Sequence, residues 1–418
     1  MHEKDFTHES SLNFVNLILI HLNKHGLTNH MELRNFFKKI KKLKVTKQAF
    51  SQSKEKLKPE AFKNLNNQLL KRFYSSKDVK KFKKHVIISG DGSKSVLPNH
   101  KSLGKVFGGI VNKFKELTSV AVNLTTLHDC LNDMTLDLEL DKYKTSEQEL
   151  MYRNMDNILS LEFIKGLKKI FIYDRGFPSL KFFNYLIEEN EKFIFRIKKS
   201  AYKKEKRGMT TNDEFIDIKL EKNRLNPIKN ENLKEKLLKI GKLNLRITKI
   251  TLESGEEEHL ISNLDQETFT YQDLKELYNL RWGIEVSYDV LKNLMRIENV
   301  SGYSEIAVKQ DYYSQILVYN IVNELKNIAQ KIFNQNNYNT TNINNIKKKI
   351  NFNIVLGIIK EDLIEIMILK SIKLQKKKLL ELIEEISKEY TETSTKKQVR
   401  KPKSVYSAKF RSNNRNSF

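Results

Sequence analysis

Apolar residues in the first part of the chain, residues 1–84, recur at three- and four-residue spacing without a strong strand pattern. This spacing is typical of helices that bury one face. Thr46 is predicted to cap a helix that passes through Phe50 and stops at Lys58 and Pro59. The region is therefore predicted to be helical. Two interpretations stay open: a plain packing or dimerisation unit, which is the more common case, and a DNA-binding helix-turn-helix.

The pattern changes at residue 85 to alternating and short buried runs, which are typical of strands. Ser146 and Glu149 have the spacing of a capping box that opens a helix, and Pro178 marks the start of another. Strands are predicted at residues 85–89, 118–126, 134–140, 169–173 and 193–197. Three strands followed by alternating helices and strands indicate a mixed α/β sheet of the ribonuclease-H-like kind.

Residues 200–265 depart from this pattern because they are highly charged, lack a helical stripe and contain alternating runs. We interpret them as a β-rich insertion and expect a separate small β unit near the functional site. Helical periodicity returns at Tyr271 and persists to about Leu325.

The last region, residues 331–418, begins with an Asn-rich segment at residues 334–345, which is expected to be a linker or loop. A helical block follows to about Ser387. From Lys396 onward the tail carries many lysines and arginines and no acid. Such a tail can neutralise phosphates, so its removal is expected to lower non-specific DNA affinity and the salt dependence of binding.

The composition sets limits on partners and compartment. The 418 residues include 76 Lys and Arg against 51 Asp and Glu, a formal net charge of +25. Such a charge favours nucleic acid as a partner, although an AT-rich genome would also encode many lysines. The one cysteine, Cys130, excludes an internal disulfide, and a cytoplasmic location is expected. We find no signal peptide, membrane span or glycine-rich phosphate loop, so neither a membrane nor a nucleotide cofactor is expected.

Two aspartates follow buried strand patterns. Asp91 comes after a run of Val, Ile, Ile, Ser and Gly, and Asp174 comes after Ile, Phe, Ile and Tyr. The carboxyl ends of strands are where open α/β sheets place ligands. Each aspartate alone is ambiguous, because Asp-Gly is common in turns and Asp before a helix is a common cap.

A third acid lies on a predicted helix with a distinctive polar stripe. At 100° per residue, the stripe falls within roughly a 60° arc and is separate from the apolar face. The alternative is an ordinary solvated face with charge pairs. Trp282 lies about 40° from the start of the stripe and could stack on a displaced base or simply pack. The stripe consists of Tyr278, Arg281, Glu285 and Lys292, and the apolar face of Leu277, Leu280, Ile284, Leu291 and Leu294.

These residues carry a family resemblance. The stripe matches the Y-x2-R-x3-E-x6-K signature of bacterial insertion-sequence transposases of the DDE class at every fixed position. Asp91 in Asp-Gly-Ser and Asp174 in Asp-Arg-Gly-Phe look like the first and second aspartates of that family. The chain thus resembles the insertion sequence four-like transposases, with looser similarity over residues 45–330.

The resemblance implies a metal-dependent DNA transposase. Asp91, Asp174 and Glu285 would be the catalytic carboxylates and would hold two Mg²⁺ ions, for which Mn²⁺ could substitute. Tyr278, Arg281 and Lys292 would contact phosphates at the ends of the element. The family works on double-stranded DNA, both element ends and target, through hairpin-ended intermediates, and a homodimer is expected in the synaptic complex.

The resulting organisation is a helical region at residues 1–84, a DDE catalytic domain of ribonuclease-H-like fold at residues 85–330, and a helical region with a basic tail at residues 331–418. Two other functions stay open. A nuclease on the same core would cut DNA without joining it. A DNA-binding relic of a transposase would do neither, and the intact set of three carboxylates argues against it.

Overall fold

The computed structural model describes Phe6 and residues 10–252, 255–336 and 347–393. The N-terminal region is helical, as predicted, and the Thr46 hydroxyl accepts a hydrogen bond from the Ala49 N–H at 3.2 Å, which confirms the predicted cap. Apolar faces of these helices share one core with a long helix near the C-terminus. The helices are α1 (Phe14–Leu22), α2 (Asn29–Lys39), α3 (Lys47–Lys56) and α4 (Glu60–Tyr74).

The sheet begins where the sequence pattern changes, with the elements β1 (Val86–Val96), α5 (Lys101–Phe107), β2 (Gly109–Val111), β3 (Leu117–Asp129) and β4 (Met134–Lys142). Strand β1 is longer than predicted, because it continues to pair with β3 beyond Ser89. Helix α5 and the short strand β2 were not predicted.

The next elements alternate between helix and strand, as predicted: α6 (Glu147–Leu159), α7 (Glu162–Lys165), β5 (Lys169–Tyr173), α8 (Leu180–Glu188) and β6 (Lys192–Ile197). The Ser146 hydroxyl caps α6 by accepting from the Glu149 N–H at 3.1 Å. Strand β5 lies parallel to β1 on one side and to β6 on the other.

The expectation of a separate β unit at residues 200–265 is wrong. The segment contains α9 (Lys203–Arg207), β7 (Asp213–Lys219), α10 (Lys222–Leu225), α11 (Glu231–Ile240), β8 (Lys242–Thr251) and β9 (Glu257–Ser262). Strand β9 pairs antiparallel with β6, and β8 and β7 follow it, so these strands extend the central sheet. Its order among the described residues is β2-β3-β1-β5-β6-β9-β8-β7, with β4 paired to β3.

The remaining elements are mostly helical: α12 (Tyr271–Leu280), α13 (Trp282–Asp289), a π-helical turn (Val290–Leu294), α14 (Glu305–Asn336), β10 (Lys347–Ile350), α15 (Phe352–Met367), α16 (Ile372–Ile386) and β11 (Tyr390–Thr393). The predicted linker at residues 334–345 is wrong at its start, since α14 continues to Asn336, and the rest of it lies outside the described residues. The basic tail from Lys396 also lies outside them.

The two faces of the sheet are covered by different helices, because successive strand residues point to opposite sides. Ile88, Phe171 and Phe195 share a core with α6 and α8. Ile87 and Ile172 share another with α12. The predicted mixed α/β fold with helices at both ends is therefore confirmed and is consistent with a ribonuclease-H-like core. None of the helices in the described residues has both the length and the apolar composition needed to cross a membrane.

A buried histidine gives the helical core a predicted pH dependence. His21 is 2% exposed between Phe50 and Phe62, and burial lowers its pKa to about 4. In the unfolded chain His21 binds a proton near pH 6.5, whereas in the folded protein it stays neutral down to about pH 4. The folded state is therefore fully favoured above pH 6.5, and this contribution to the free energy of unfolding is lost as the pH falls towards 4. Between pH 7 and 5 the free energy of unfolding should fall by about 2 kcal/mol on account of His21.

Urea unfolding at both pH values of the wild type and of His21→Leu measures this loss. The variant should lack it, whereas replacement of the exposed His30 should leave it in place. Part of the fall in unfolding free energy between pH 7 and 5 will persist in both variants, because burial also lowers the pKa of His128 to about 4. An identical slope in wild type and His21→Leu would contradict the assignment.

Candidate active site

The two predicted aspartates meet at the carboxyl edge of the parallel strands. Gly90 on β1 is paired with Tyr173, the last residue of β5. Asp91 follows Gly90 directly, and Asp174 follows Tyr173 directly. Because strand residues alternate between the two faces of a sheet, both aspartates are on the face covered by α12. Asp91 lies within β1 and not at its end, because the strand goes on pairing with β3 at Thr126.

The glycines on either side of Asp91 are needed for close packing. A Cβ on Gly90 would lie 2.2 Å from the ring of Tyr173, which is fully buried. A Cβ on Gly92 would lie 2.6 Å from the carboxyl carbon of Glu147, in the first turn of α6. Glu147 is thus another acid at this edge, beside the two aspartates, and it was not predicted from the sequence. The predicted start of α6 located Glu147 at a helix N-terminus, but only the packing of α6 on β1 brings it to Asp91.

The electrostatics of the site are dominated by the burial of Asp91. The pKa of Asp91 is raised to about 6, mainly by burial and also by the charges of Asp174 and Glu147. The Gly92 N–H, which donates to Asp91 Oδ1 at 2.8 Å, and the Arg281 guanidinium act in the opposite direction. The site therefore concentrates negative charge around a buried carboxylate.

Glu285 lies on α13, which is bonded to the backbone of Asp91. The Tyr288 hydroxyl, on the same helix, donates to the backbone carbonyl of Asp91 at 2.8 Å. Glu285 itself pairs with Arg281, with 2.7 Å between Oε1 and Nη2. The Arg281 guanidinium also lowers the pKa of Asp91, so Arg281 is close to both Glu285 and Asp91.

The single regular helix assumed for the polar stripe is not observed. Helix α12 ends at Leu280, α13 begins at Trp282, and a π-helical turn follows from Val290. An inserted π turn shifts every later side chain around the helix axis. Leu294, predicted on the apolar face, is therefore 41% exposed.

The predicted DNA-binding residues have different environments. Lys292 Nζ donates to Ser93 Oγ at 2.6 Å and to the Lys94 carbonyl at 2.8 Å, so it braces the π turn against β1. Tyr278 is 6% exposed, and its buried hydroxyl makes no hydrogen bond to the described residues. The Arg281 guanidinium lies 5.7 Å from its ring. Trp282 is 41% exposed, as a base-stacking side chain would need to be.

The residues present fit a divalent cation only in part. Carboxylate oxygens are the ligands that Mg²⁺ prefers, and the half-buried Asp91, near two other acids, forms no ion pair with a described residue. Among the described residues, however, no group of three His, Cys, Asp or Glu side chains is arranged to hold an ion. Glu285 is paired with Arg281, a cation within the protein.

Part of the chain is similar to a known family of domains. Residues 115–321 match the family model DDE_Tnp_1, described as the transposase DDE domain. The match spans slightly less than half of the chain and shows similarity to transposase DDE domains. It includes Asp174 and Glu285 and begins after Asp91.

One solved structure similar to this chain is a cryo-EM structure of the piggyBac transposase synaptic complex with hairpin DNA, with a TM-score of 0.37 and 11% sequence identity. The similarity covers 72% of this chain and 57% of that one, so the chain spans little more than half the length of that relative. No curated protein sequence matches this chain.

Proposed function

We propose that this protein is a cut-and-paste DNA transposase of the insertion sequence four-like family, with Asp91, Asp174 and Glu285 as its catalytic carboxylates. The observation that carries the proposal is the position of Asp91 and Asp174, each directly after the paired residues Gly90 and Tyr173 of adjacent parallel strands, with Glu285 on a helix bonded to the Asp91 backbone. Acids from three separate elements converge where open α/β sheets bind ligands.

Each residue has a role that follows from its position. Asp91, Asp174 and Glu285 would together hold two Mg²⁺ ions. Bound divalent ions would activate the attacking water or 3′-hydroxyl and stabilise the leaving oxygen during phosphoryl transfer. Glu285 must leave Arg281 to take part, and the freed guanidinium can then bind a DNA phosphate.

The proposal includes the partners of the reaction. The substrates are double-stranded element ends and target DNA, held by a homodimer in the synaptic complex. Lys292 would reach a phosphate by exchanging its contacts with Ser93 and Lys94, whereas Trp282 is already exposed for stacking.

The proposed function is tested by incubating the purified full chain with Mg²⁺ and linear DNA that carries the terminal repeats flanking its own gene. We expect double-strand breaks at the ends, hairpin-ended intermediates and products joined to a target plasmid. Mn²⁺ should also support the reaction, and EDTA should stop it. Cleavage without joined product would identify a nuclease, and end binding without cleavage would identify a relic, so either outcome would overturn the proposal.

The polar stripe has a separate test. Arg281→Ala should lower strand transfer roughly 100-fold, because removing one cation that stabilises developing charge has an effect of that order. The fold should be intact by circular dichroism. Lys275→Ala, which removes a cation elsewhere on α12, serves as the control and should retain wild-type activity.

Lys292→Ala should reduce strand transfer and also loosen the π turn, since Lys292 braces it against β1. Phosphate-ethylation footprints should lose a different phosphate in each variant. Full activity and unchanged footprints in both would show that the stripe is an ordinary charged helix surface.

A further inference from the structure

A second charged cluster lies on the same edge of the sheet as the proposed active site. Its centre is Lys206 on α9, which is only 8% exposed. Lys206 Nζ donates to the Lys199 carbonyl at 2.7 Å and lies 3.2 Å from Nδ1 of His259. Within the described part of the chain, Lys206 forms no ion pair with a carboxylate. A buried ammonium group without a counter-ion is unusual, because burial penalises the charged form.

The imidazole of His259 holds Lys206 in place. Lysine can only donate, so Nδ1 of His259 must accept and the ring must be neutral, with its proton on Nε2. Burial and the adjacent Lys206 both lower the pKa of His259, which keeps the ring in this form. Nε2 is buried without a hydrogen bond to the described residues and lies 3.8 Å from the Glu257 carboxylate.

Further lysines surround this buried pair. Lys249, Lys199 and Lys203 are all close enough to Lys206 to lower its pKa, after the larger effect of burial. Glu257 is the acid among these neighbours, and it is already paired with Lys199 at 2.7 Å. Four lysines against one glutamate leave an excess of three positive charges. Lys199 and Lys203 are exposed, so the excess faces solvent.

Strand pairing gives the position of the cluster relative to the proposed active site. His259 on β9 is paired with Ile197 at the end of β6, and Lys249 on β8 is paired with His259. Asp174 follows β5, the neighbour of β6. Strands are about 4.8 Å apart, so the cluster lies roughly 10–15 Å from Asp174 along the edge. At 3.4 Å per nucleotide, this distance corresponds to about three to four nucleotides of duplex.

We propose that Lys199, Lys203, Lys206 and Lys249, held by His259, form a DNA phosphate site, the lysine cluster, which binds the substrate backbone a few nucleotides from the bond that is cut. The exposed Lys199 and Lys203 contact the phosphates, and the buried Lys206, which forms no ion pair with a described carboxylate, adds further positive charge. The stated distance from the cut rests on the proposed function, whereas the DNA contact itself does not.

The test measures binding of the full chain to a fluorescein-labelled 30-base-pair duplex of random sequence over a series of KCl concentrations. Each phosphate contact contributes about 0.9 to the slope of log K against log salt, so Lys199→Ala/Lys203→Ala/Lys249→Ala should lower its magnitude by about 2 to 3. All three changes are at surface or half-buried positions, and circular dichroism checks the fold. The matched control is Lys370→Ala/Lys373→Ala/Lys376→Ala, which removes three exposed lysines around the start of α16 and should keep the wild-type slope.

A slope that falls equally in both triple variants, or in neither, would overturn the proposal. Binding of inorganic phosphate is measured on the same proteins. If phosphate binds the wild type but not Lys199→Ala/Lys203→Ala/Lys249→Ala, and the salt slopes of DNA binding are equal, the cluster is a small-anion site and the proposal fails. These results are separate from the cleavage assay. An unchanged slope with normal end cleavage rejects the lysine cluster alone. A lowered slope in a wild-type protein that cuts no DNA rejects the transposase alone.

Discussion

Replacing Asp91, Asp174 or Glu285 by Ala is expected to lower DNA cleavage by about 1,000-fold or more. This is roughly the loss seen when central catalytic groups are removed. The reason is that each acid comes from a different element, so each variant removes one of the proposed ion ligands. Binding of DNA ends should be largely retained, since the carboxylates repel phosphate. Cleavage is measured on labelled element ends, and binding by gel shift on the same DNA.

The matched control for these variants is Asp289→Ala, which removes an exposed acid one turn after Glu285 on α13. It should cut DNA at the wild-type rate. If any one of the three proposed variants retains cleavage, that residue does not belong to the site.

The same aspartate gives a stability measurement that does not depend on activity. Burial raises the pKa of Asp91 to about 6, so the folded protein binds this proton more tightly than the unfolded chain, whose value is near 3.8. The charged form therefore destabilises the fold, and this penalty grows as the pH rises from about 4 to 6. At pH 7, Asp91→Asn should be more stable than the wild type by on the order of 1–3 kcal/mol. At pH 4 the two should be equal. A less stable Asp91→Asn protein at pH 7 would contradict the electrostatic description of the site.

The sequence was sufficient for the parts of the site that depend on local pattern. Buried apolar runs before Asp91 and Asp174 predicted two strands, and the carboxyl ends of strands are where open α/β sheets place ligands. Glu147 could not be found in this way. It comes close to Asp91 only because Gly92 lacks a side chain and α6 packs across β1, a contact between residues 55 positions apart.

Two other expectations failed because different structures share one pattern. Strands β7 to β9 alternate in hydrophobicity whether they form a unit of their own or extend an existing sheet, and the pairing of β9 with β6 decides between them. Likewise, the apolar positions from Leu277 to Leu291 fit a regular helix, yet the π turn at Val290 moves Leu294 to the surface. Periodicity carries no information on where such a turn is inserted.

Strands β7 and β8 are joined to each other and to the loop before α12 by one fully buried arginine. Its removal is expected to cause a large loss of stability. Arg246 on β8 has no exposed surface. Its Nε donates to Asp213 Oδ1 at 2.7 Å, and its Nη1 donates to the Phe269 carbonyl at 2.7 Å, with longer bonds to the carbonyls of Leu264 and Asp265. Arg246 thus joins β7, β8 and the loop before α12. Burial would raise the pKa of Asp213, but hydrogen bonds from Arg246 and Thr248 overcome it and lower the pKa below its usual value.

Arg246→Ala should therefore destabilise the protein by about 3–5 kcal/mol, the usual loss when one partner of a buried ion pair is removed and the other charge is left without compensation. Urea unfolding monitored by circular dichroism measures it, with the exposed Arg207→Ala as the control, for which a change below about 0.5 kcal/mol is expected. In the double variant Arg246→Ala/Asp213→Ala, part of the loss should be recovered, because no unpaired carboxylate stays buried. If Arg246→Ala unfolds at the same urea concentration as Arg207→Ala, the arginine does not hold β7 and β8 to the sheet, and the loop that leads into α12 must be fixed by the apolar contacts of Leu264 and Phe269 instead.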